Sequence, residues 1–180
     1  MEQRLDEIAE TLQHAIKRDY TVETPIGKGG MATVYLAREH NPARQVAIKV
    51  LDPTVGDLIG RERFLREVEI VSQLTHPHIL PLFDSGEARV PPLHGVERGT
   101  GGETFLYYVM PYIEGETLRD RLNRETQLGV EEAVDIAAAI ADALDYAHRQ
   151  GVIHRDIKPE NILLQDRKST RLNSSHSSVS

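Results

Sequence analysis

The sequence predicts an α+β fold, rich in strands in its first part and helical after it. Three observations predict this. Residues 20–51 hold short runs of strand-like composition separated by glycine or Asn-Pro turns. Residues 130–150 form one Ala-rich stretch with helical periodicity. Finally, the polar octet HRDIKPEN, His154–Asn161, is flanked by the apolar runs Gly151-Val152-Ile153 and Ile162-Leu163-Leu164, and so reads as a loop held between two short buried strands. Pro159 forbids a regular helix in that loop and biases Lys158 to an extended backbone.

A chain of 180 residues is long enough to bury a real core, and 39% hydrophobic with 27% charged residues fits a soluble globular protein. It has no Cys, which excludes disulfides and thiolate metal sites. Its eight His residues show no metal-ligand spacing, and His76 and His78 flank Pro77 as loop residues. No apolar run approaches the roughly 20 residues of a membrane span, and the polar, acidic N-terminus is not a signal peptide. The expected location is the cytoplasm, with a membrane anchor elsewhere in a longer parent left open. A net charge of −7 argues against a nucleic-acid partner.

Residues 2–18 read as a helix, with Leu5, Ile8, Leu12 and Ile16 at helical spacing. It is expected to pack on the lobe that follows, a dimerisation helix being the alternative. Tyr20–Ile26 reads as a strand entering the turn Gly27-Lys28-Gly29-Gly30-Met31-Ala32, and Val34–Ala37 as the next strand. Glycines there let backbone N–H groups approach phosphate oxygens with no Cβ in the way. A flexible hairpin turn reads the same. A dinucleotide-binding fingerprint does not, because it opens a helix rather than a strand. After Asn41-Pro42, Val46-Ala47-Ile48-Lys49 is a strand whose alternation puts Ala47 and Lys49 on one face; an edge-strand lysine, common in any sheet, is the alternative, and the helix that follows weighs against it.

Arg61–Leu74 reads as a helix with the apolar stripe Phe64, Val68, Val71 and Leu74. Glu67 lies on that side, and a carboxylate there is costly unless a cation meets it. Lys49 is the expected partner; Glu62 and Glu69 fall off the stripe and read as solvated. Ile79–Asp84 and Thr104–Met110 read as two more strands, and Gly86–Gly102 as a long exposed loop. Phe105–Gly115 passes from an apolar strand into a connector in which Pro111 has no N–H and can only accept. Thr117–Arg124 is a short helix. Val130–Gln150 is a long one with Val134, Ala137, Ile140, Ala141, Leu144 and Ala147 along one side, ended by Gly151.

In HRDIKPEN, Asp156 can take a proton from a hydroxyl, Lys158 can neutralise a phosphate in transfer, and Asn161 can offer its amide oxygen to Mg²⁺. A solvated polar loop is the bland alternative. The spacing resembles the H-R-D-x-x-x-x-N catalytic loop of protein kinases. The turn GxGGMAxVY, with Ala32 in place of a third glycine, resembles that of bacterial eukaryotic-like (Hanks-type) serine/threonine protein kinases. Val-Ala-Ile-Lys49 resembles the strand whose Lys contacts the α- and β-phosphates.

The resemblance covers residues 20–164. It implies an N-lobe and hinge over 20–113 after an N-terminal helix over 1–19, the start of a C-lobe over 114–165, and Mg-ATP bound between the lobes. By resemblance, Gly27, Lys28, Gly29 and Gly30 cover the phosphates, and Ile26, Val34, Ala47 and Leu163 sandwich the adenine. Met110 is the gatekeeper, and the Ile113 N–H meets the adenine. Lys49 pairs with Glu67 on the helix called αC, Asp156 is the base, Lys158 stabilises the transferring phosphoryl group, and Asn161 holds one Mg²⁺. The K-P-E-N ending looks like specificity for Ser/Thr hydroxyls of a protein substrate. Arg155 suggests activation by phosphorylation of an activation loop. A small-molecule kinase of the aminoglycoside phosphotransferase type would share the Asp and Asn but typically has Gly at Arg155 and lacks Lys158-Pro159.

Residues 166–180 are Ser/Thr/Asn/His-rich and read either as a disordered tail or as foreign sequence. Asp166–His176, DRKSTRLNSSH, looks like the in-frame translation of a common short-read sequencing adapter over eleven codons. The natural coding sequence is then expected to be lost at about Gln165. As written, the chain carries no Asp-Phe-Gly segment and no activation loop, so it is expected to fail at phosphoryl transfer and to fold poorly. A nucleotide-binding pseudokinase or scaffold is the alternative if the truncation is natural. Oligomeric state stays open between the two readings of residues 2–18.

Overall fold

Side-chain alternation organises the first of two units, which comprises residues 1–65 and 82–112. The computed structural model describes residues 2–29, 32–52, 61–89, 104–165, 169–172 and 178–179. Five antiparallel strands, β1 (Tyr20–Lys28), β2 (Ala32–His40), β3 (Ala43–Leu51), β4 (Asp84–Arg89) and β5 (Thr104–Pro111), make one sheet in the order β1-β2-β3-β5-β4. Tyr35, Ala37, Val46, Ile48, Val50, Ala88, Phe105, Tyr107 and Val109 share a core on one face. The alternate residues Val34, Ala47, Lys49, Tyr108 and Met110 therefore occupy the opposite face.

Helix α1 (Glu2–Ile16) closes the core face by inserting Ile8, Leu12 and Ile16, each at least nine-tenths buried. Gln13 fixes its position on β1: the side-chain amide donates to the Tyr20 carbonyl (3.1 Å), and its oxygen accepts from the Val22 N–H (2.7 Å). The expected packing of this helix on the lobe that follows is thus observed; the side chain of Leu5 lies outside the described residues.

The expected strand over Ile79–Asp84 is not there. Ile79 makes only an isolated bridge, and β4 begins at Asp84. Ile79 and Leu80 are apolar because they are buried, while Pro81 cannot donate to a ladder. Strand β4 runs on through Gly86–Arg89, which the Gly/Pro content assigned to a loop; residues 90–103 lie outside the described part. At Gly86 a Cβ would fall 2.7 Å from the Tyr107 hydroxyl, so any larger residue there would force that ring to shift.

Helix α2 spans Arg61–Ser72, with Phe64, Val71 and Leu74 buried and Val68 half-buried as the stripe predicts. Glu62 and Glu69 are exposed, and the side chain of Glu67 lies outside the described residues.

The second unit comprises residues 66–81 and 113–180. Helix α3 (Leu118–Glu125) starts at a capping box: the Thr117 hydroxyl accepts from the Asp120 N–H (3.1 Å), and the Asp120 carboxylate accepts from the Thr117 N–H (3.2 Å). Helix α4 (Val130–Arg149) ends before Gly151, whose φ of +77° suits glycine.

The buried face of α4 matches the predicted one only in part. Ala147 is buried and Ile140 and Leu144 are half-buried as expected, but Val134, Ala137 and Ala141 are exposed, and Ile136 and Ala143, off the predicted side, are buried. Alanines surround the helix, so periodicity alone does not fix which side packs. The post-α2 turn joins α4 through the Tyr146 hydroxyl, which accepts from the Thr75 N–H (3.1 Å), and through His76, stacked on Tyr146 and 3.2 Å from Asp142.

Short strands complete this unit. Strands β6 (Gly115–Thr117), β8 (Ile162–Gln165) and β9 (Ser169–Leu172) form one sheet, and β7 (Val152–Ile153) pairs with β10 (Ser178–Val179). Two pieces of the polar tail are therefore strands, where composition alone allowed a structureless segment.

Candidate active site

The octet adopts a fixed loop between β7 and β8. His154 is buried, its carbonyl accepts from the Asp156 N–H (2.8 Å), and Arg155 between them has a φ of +59°, a left-handed backbone that costs a non-glycine residue energy. Pro159–Asn161 is one turn of 3₁₀ helix entered from an extended Lys158, as the proline requires. That turn brings Asn161 back under Asp156. The Asn161 Nδ2 donates to the Asp156 carbonyl (2.8 Å) and to its carboxylate (3.0 Å). Lys158 Nζ sits 2.8 Å from the same carboxylate oxygen.

Carbonyl and carboxylate oxygens only accept, so the Asn161 amide nitrogen must face Asp156, and its Oδ1 is the atom left to meet a cation. Asn161 is itself buried at 8% exposure, while Asp156 and Lys158 keep about a third to a half of their side chains open, at 34% and 48%. The loop thus presents a carboxylate, an ammonium and an amide oxygen on one small surface. Such a set can hold a hydroxyl, accept its proton and balance phosphate charge.

Adjacent Glu160 is held by Arg119 of α3 at 2.9 Å. A hydrogen bond to its own backbone amide, reinforced by Arg119, keeps its carboxyl below the usual range. Glu160 and Arg119 were not singled out from sequence, although a carboxylate inside the octet was visible there.

The first unit gathers a second set of residues on the face of the sheet opposite α1. Lys49 stands opposite Val34 on β2 and Tyr108 on β5, and Ala47 stands opposite Met110. Lys49 (8% exposed), Ala47 and Met110 are buried. Ile26 is exposed at a β-bulge between Pro25 and Gly27, where the β1–β2 register shifts. The turn closes through a Gly29 N–H bond to the Ala32 carbonyl (2.9 Å). Lys28 ends β1 and is exposed. Gly30 lies outside the described residues, so its expected role is untouched by the geometry.

At Gly27 and Gly29 the nearest atoms to an added Cβ are 3.7 Å away, ordinary contact distance. Among the described residues, packing therefore does not require glycine at either position. Gly115 is the reverse case, which sequence reading missed: a Cβ there would fall 2.2 Å from the Leu164 carbonyl. In the second unit, Ile113 is half-buried after β5, and Leu163, also half-buried, pairs with Thr117. Among the described residues, no helix is long and apolar enough to cross a membrane.

Comparison with known proteins agrees with this arrangement. The family described as protein kinase domain matches residues 20–173. The chain belongs to that family. It is 38% identical over 160 residues to the serine/threonine-protein kinase drp72 of Corynebacterium efficiens, covering 88% of this chain and 29% of that protein. It is 36% identical over 163 residues to the serine/threonine-protein kinase PknB of Mycolicibacterium smegmatis, covering 90% and 24%. Against a probable serine/threonine-protein kinase PknB of Bifidobacterium longum the identity is 38% over 148 residues, covering 82% and 21%. The chain is thus similar to bacterial serine/threonine-protein kinases and spans 21–29% of the length of these three.

Proposed function

We propose that this chain is part of an ATP-dependent serine/threonine protein kinase that transfers the γ-phosphoryl group of ATP to Ser or Thr hydroxyls of a protein substrate. The observation that carries the reading is the triangle of Asp156, Lys158 and Asn161, closed by hydrogen bonds of 2.8 and 3.0 Å and an ion pair of 2.8 Å.

In this reading Asp156 would orient the acceptor hydroxyl and take its proton as the new P–O bond forms and the bond from the γ-phosphorus to the bridging oxygen breaks, releasing ADP. Lys158, already beside that carboxylate, faces the phosphoryl oxygens and offsets their charge. Asn161 offers Oδ1 to Mg²⁺, which when bound neutralises phosphate charge. Lys49 would hold the α- and β-phosphates with Glu67 as its partner. Gly27, Lys28, Gly29 and Gly30 would cover the phosphates. Ile26, Val34, Ala47, Met110, Ile113 and Leu163 would contact the adenine. The room around Gly27 and Gly29 among the described residues supports the phosphate role, because a glycine lets a ligand approach the backbone with no Cβ in the way. ATP as donor places this part of the protein on the cytoplasmic side.

We further propose residues 20–113 as N-lobe and hinge, 114–165 as the start of the C-lobe, and 166–180 as non-native. The family match continues to residue 173, and Ser169–Leu172 pairs with β8, so foreign sequence would here be standing in for a native strand. Resequencing the native gene through the Gln165 codon tests this; an intact gene encoding DRKSTRLNSSH overturns it and favours a nucleotide-binding scaffold.

The activity test uses the purified chain and a version extended by its natural sequence. The 180-residue chain is expected to bind Mg-ATP without transfer, and robust Mg-dependent phosphorylation by it would refute that inactivity. The extended chain is expected to phosphorylate a protein substrate, and Asp156→Asn to lower its rate about 10²–10⁴-fold. An extended chain that neither binds ATP nor transfers phosphate sinks the kinase reading.

A further inference from the structure

The face of the sheet that carries Lys49 also carries an aromatic ring beneath its ammonium. Lys49 and Tyr108 are direct cross-strand partners of β3 and β5, so their side chains leave the sheet on the same side. Tyr108 is 1% exposed and Lys49 8% exposed. The Lys49 Nζ lies over the Tyr108 ring, 5.8 Å from its centroid. A buried ammonium loses hydration, and the negative face of an aromatic ring returns part of that electrostatic stabilisation. The ring is fixed because its strand is central, flanked by β3 and β4.

We propose that Tyr108 is a positioning residue for Lys49: its π-face holds the ammonium on the nucleotide side of the sheet and so sets the affinity for the phosphates of ATP. This rests on the proposed phosphate-binding role of Lys49. The ring acts through the lysine and touches no reacting atom. Its hydroxyl is not needed for the effect, whereas its aromatic face is.

The test is a set of double-mutant cycles on the full 180-residue chain, with Mg-ATP and adenosine titrated by calorimetry. Tyr108→Leu is expected to weaken Mg-ATP about three- to tenfold while leaving adenosine unchanged, and Tyr108→Phe to restore wild-type affinity. In a Lys49→Met background, Tyr108→Leu should have no further effect on Mg-ATP. Equal loss of ATP and adenosine, or an undiminished effect without Lys49, overturns the proposal and leaves Tyr108 a plain packing residue. If Lys49→Met itself leaves ATP affinity intact, the phosphate role of Lys49 fails instead. The same proteins, with the Lys49→Met/Tyr108→Phe double variant added, are then compared by thermal unfolding. A coupling between positions 49 and 108 that Phe preserves and Leu removes supports the contact, and additive midpoints refute it.

Discussion

Asn161 and Asp156 are joined twice: one amide nitrogen donates to both the backbone carbonyl and the carboxylate of the aspartate, at 2.8 and 3.0 Å. Five residues apart in sequence, they are locked as one unit by the turn that Pro159 starts. The aspartate therefore has its direction set before any substrate arrives, and preorganisation of this kind is what makes a positioned base effective.

Replacing Asn161 by Ala should remove both bonds and leave Asp156 without its fixed orientation. Loss of a buried hydrogen bond to a charged group costs about 1–3 kcal/mol, so urea unfolding should show a lower midpoint. Asn161→Asp should be worse, because it sets a second carboxylate against the first. Unchanged stability in both variants would mean that the pairing contributes nothing.

Two kinds of glycine should separate cleanly. Gly115→Ala drives a Cβ to 2.2 Å from the Leu164 carbonyl, a backbone atom that cannot step aside, and should break the β6–β8 pairing. A loss of about 1–3 kcal/mol is expected from such overpacking. Gly27→Ala and Gly29→Ala, with 3.7 Å of room, should leave the melting temperature unchanged while weakening Mg-ATP binding. Calorimetric melting and ATP titration of the three variants check both halves.

Helix α1 lies before the family match, yet Leu12 is 1% exposed within the core of the sheet. Leu12→Ala should cost about 2–5 kcal/mol, the range for a buried leucine cavity. Deleting residues 1–19 should expose the sheet face and aggregate the chain, read by light scattering. A soluble, equally stable deletion would show that α1 is dispensable.

Tyr20 supplies a pH prediction. Burial first, then the neighbouring carboxylates Asp84 and Glu39, push its phenol above the ordinary value of 10.0. A group whose folded-state pKa is raised binds its proton more tightly when folded. Its contribution is complete below about pH 10 and is lost as pH rises through the folded-state value. The unfolding midpoint should therefore fall on the alkaline side. Tyr20→Phe should flatten that fall, leaving the same trend from Tyr107, which burial and Asp84 also raise.

The sequence by itself determined what depends on neighbours in the chain. The strands within residues 20–51, the helices, the stripe of α2, the glycine after α4 and the non-helical loop that Pro159 imposes all follow from period, turn chemistry and proline. Tertiary structure alone decided what depends on distant partners. The start of β4 at Asp84 was hidden because burial makes Ile79 and Leu80 apolar without a ladder. Part of the packed side of α4, Ile136 and Ala143, was hidden because the helix's alanines suit either face. Gly115 is fixed by the carbonyl of Leu164, and the ring under Lys49 by the register of β5. Each of these is a contact across many residues of sequence, and local pattern carries no record of which surfaces will meet.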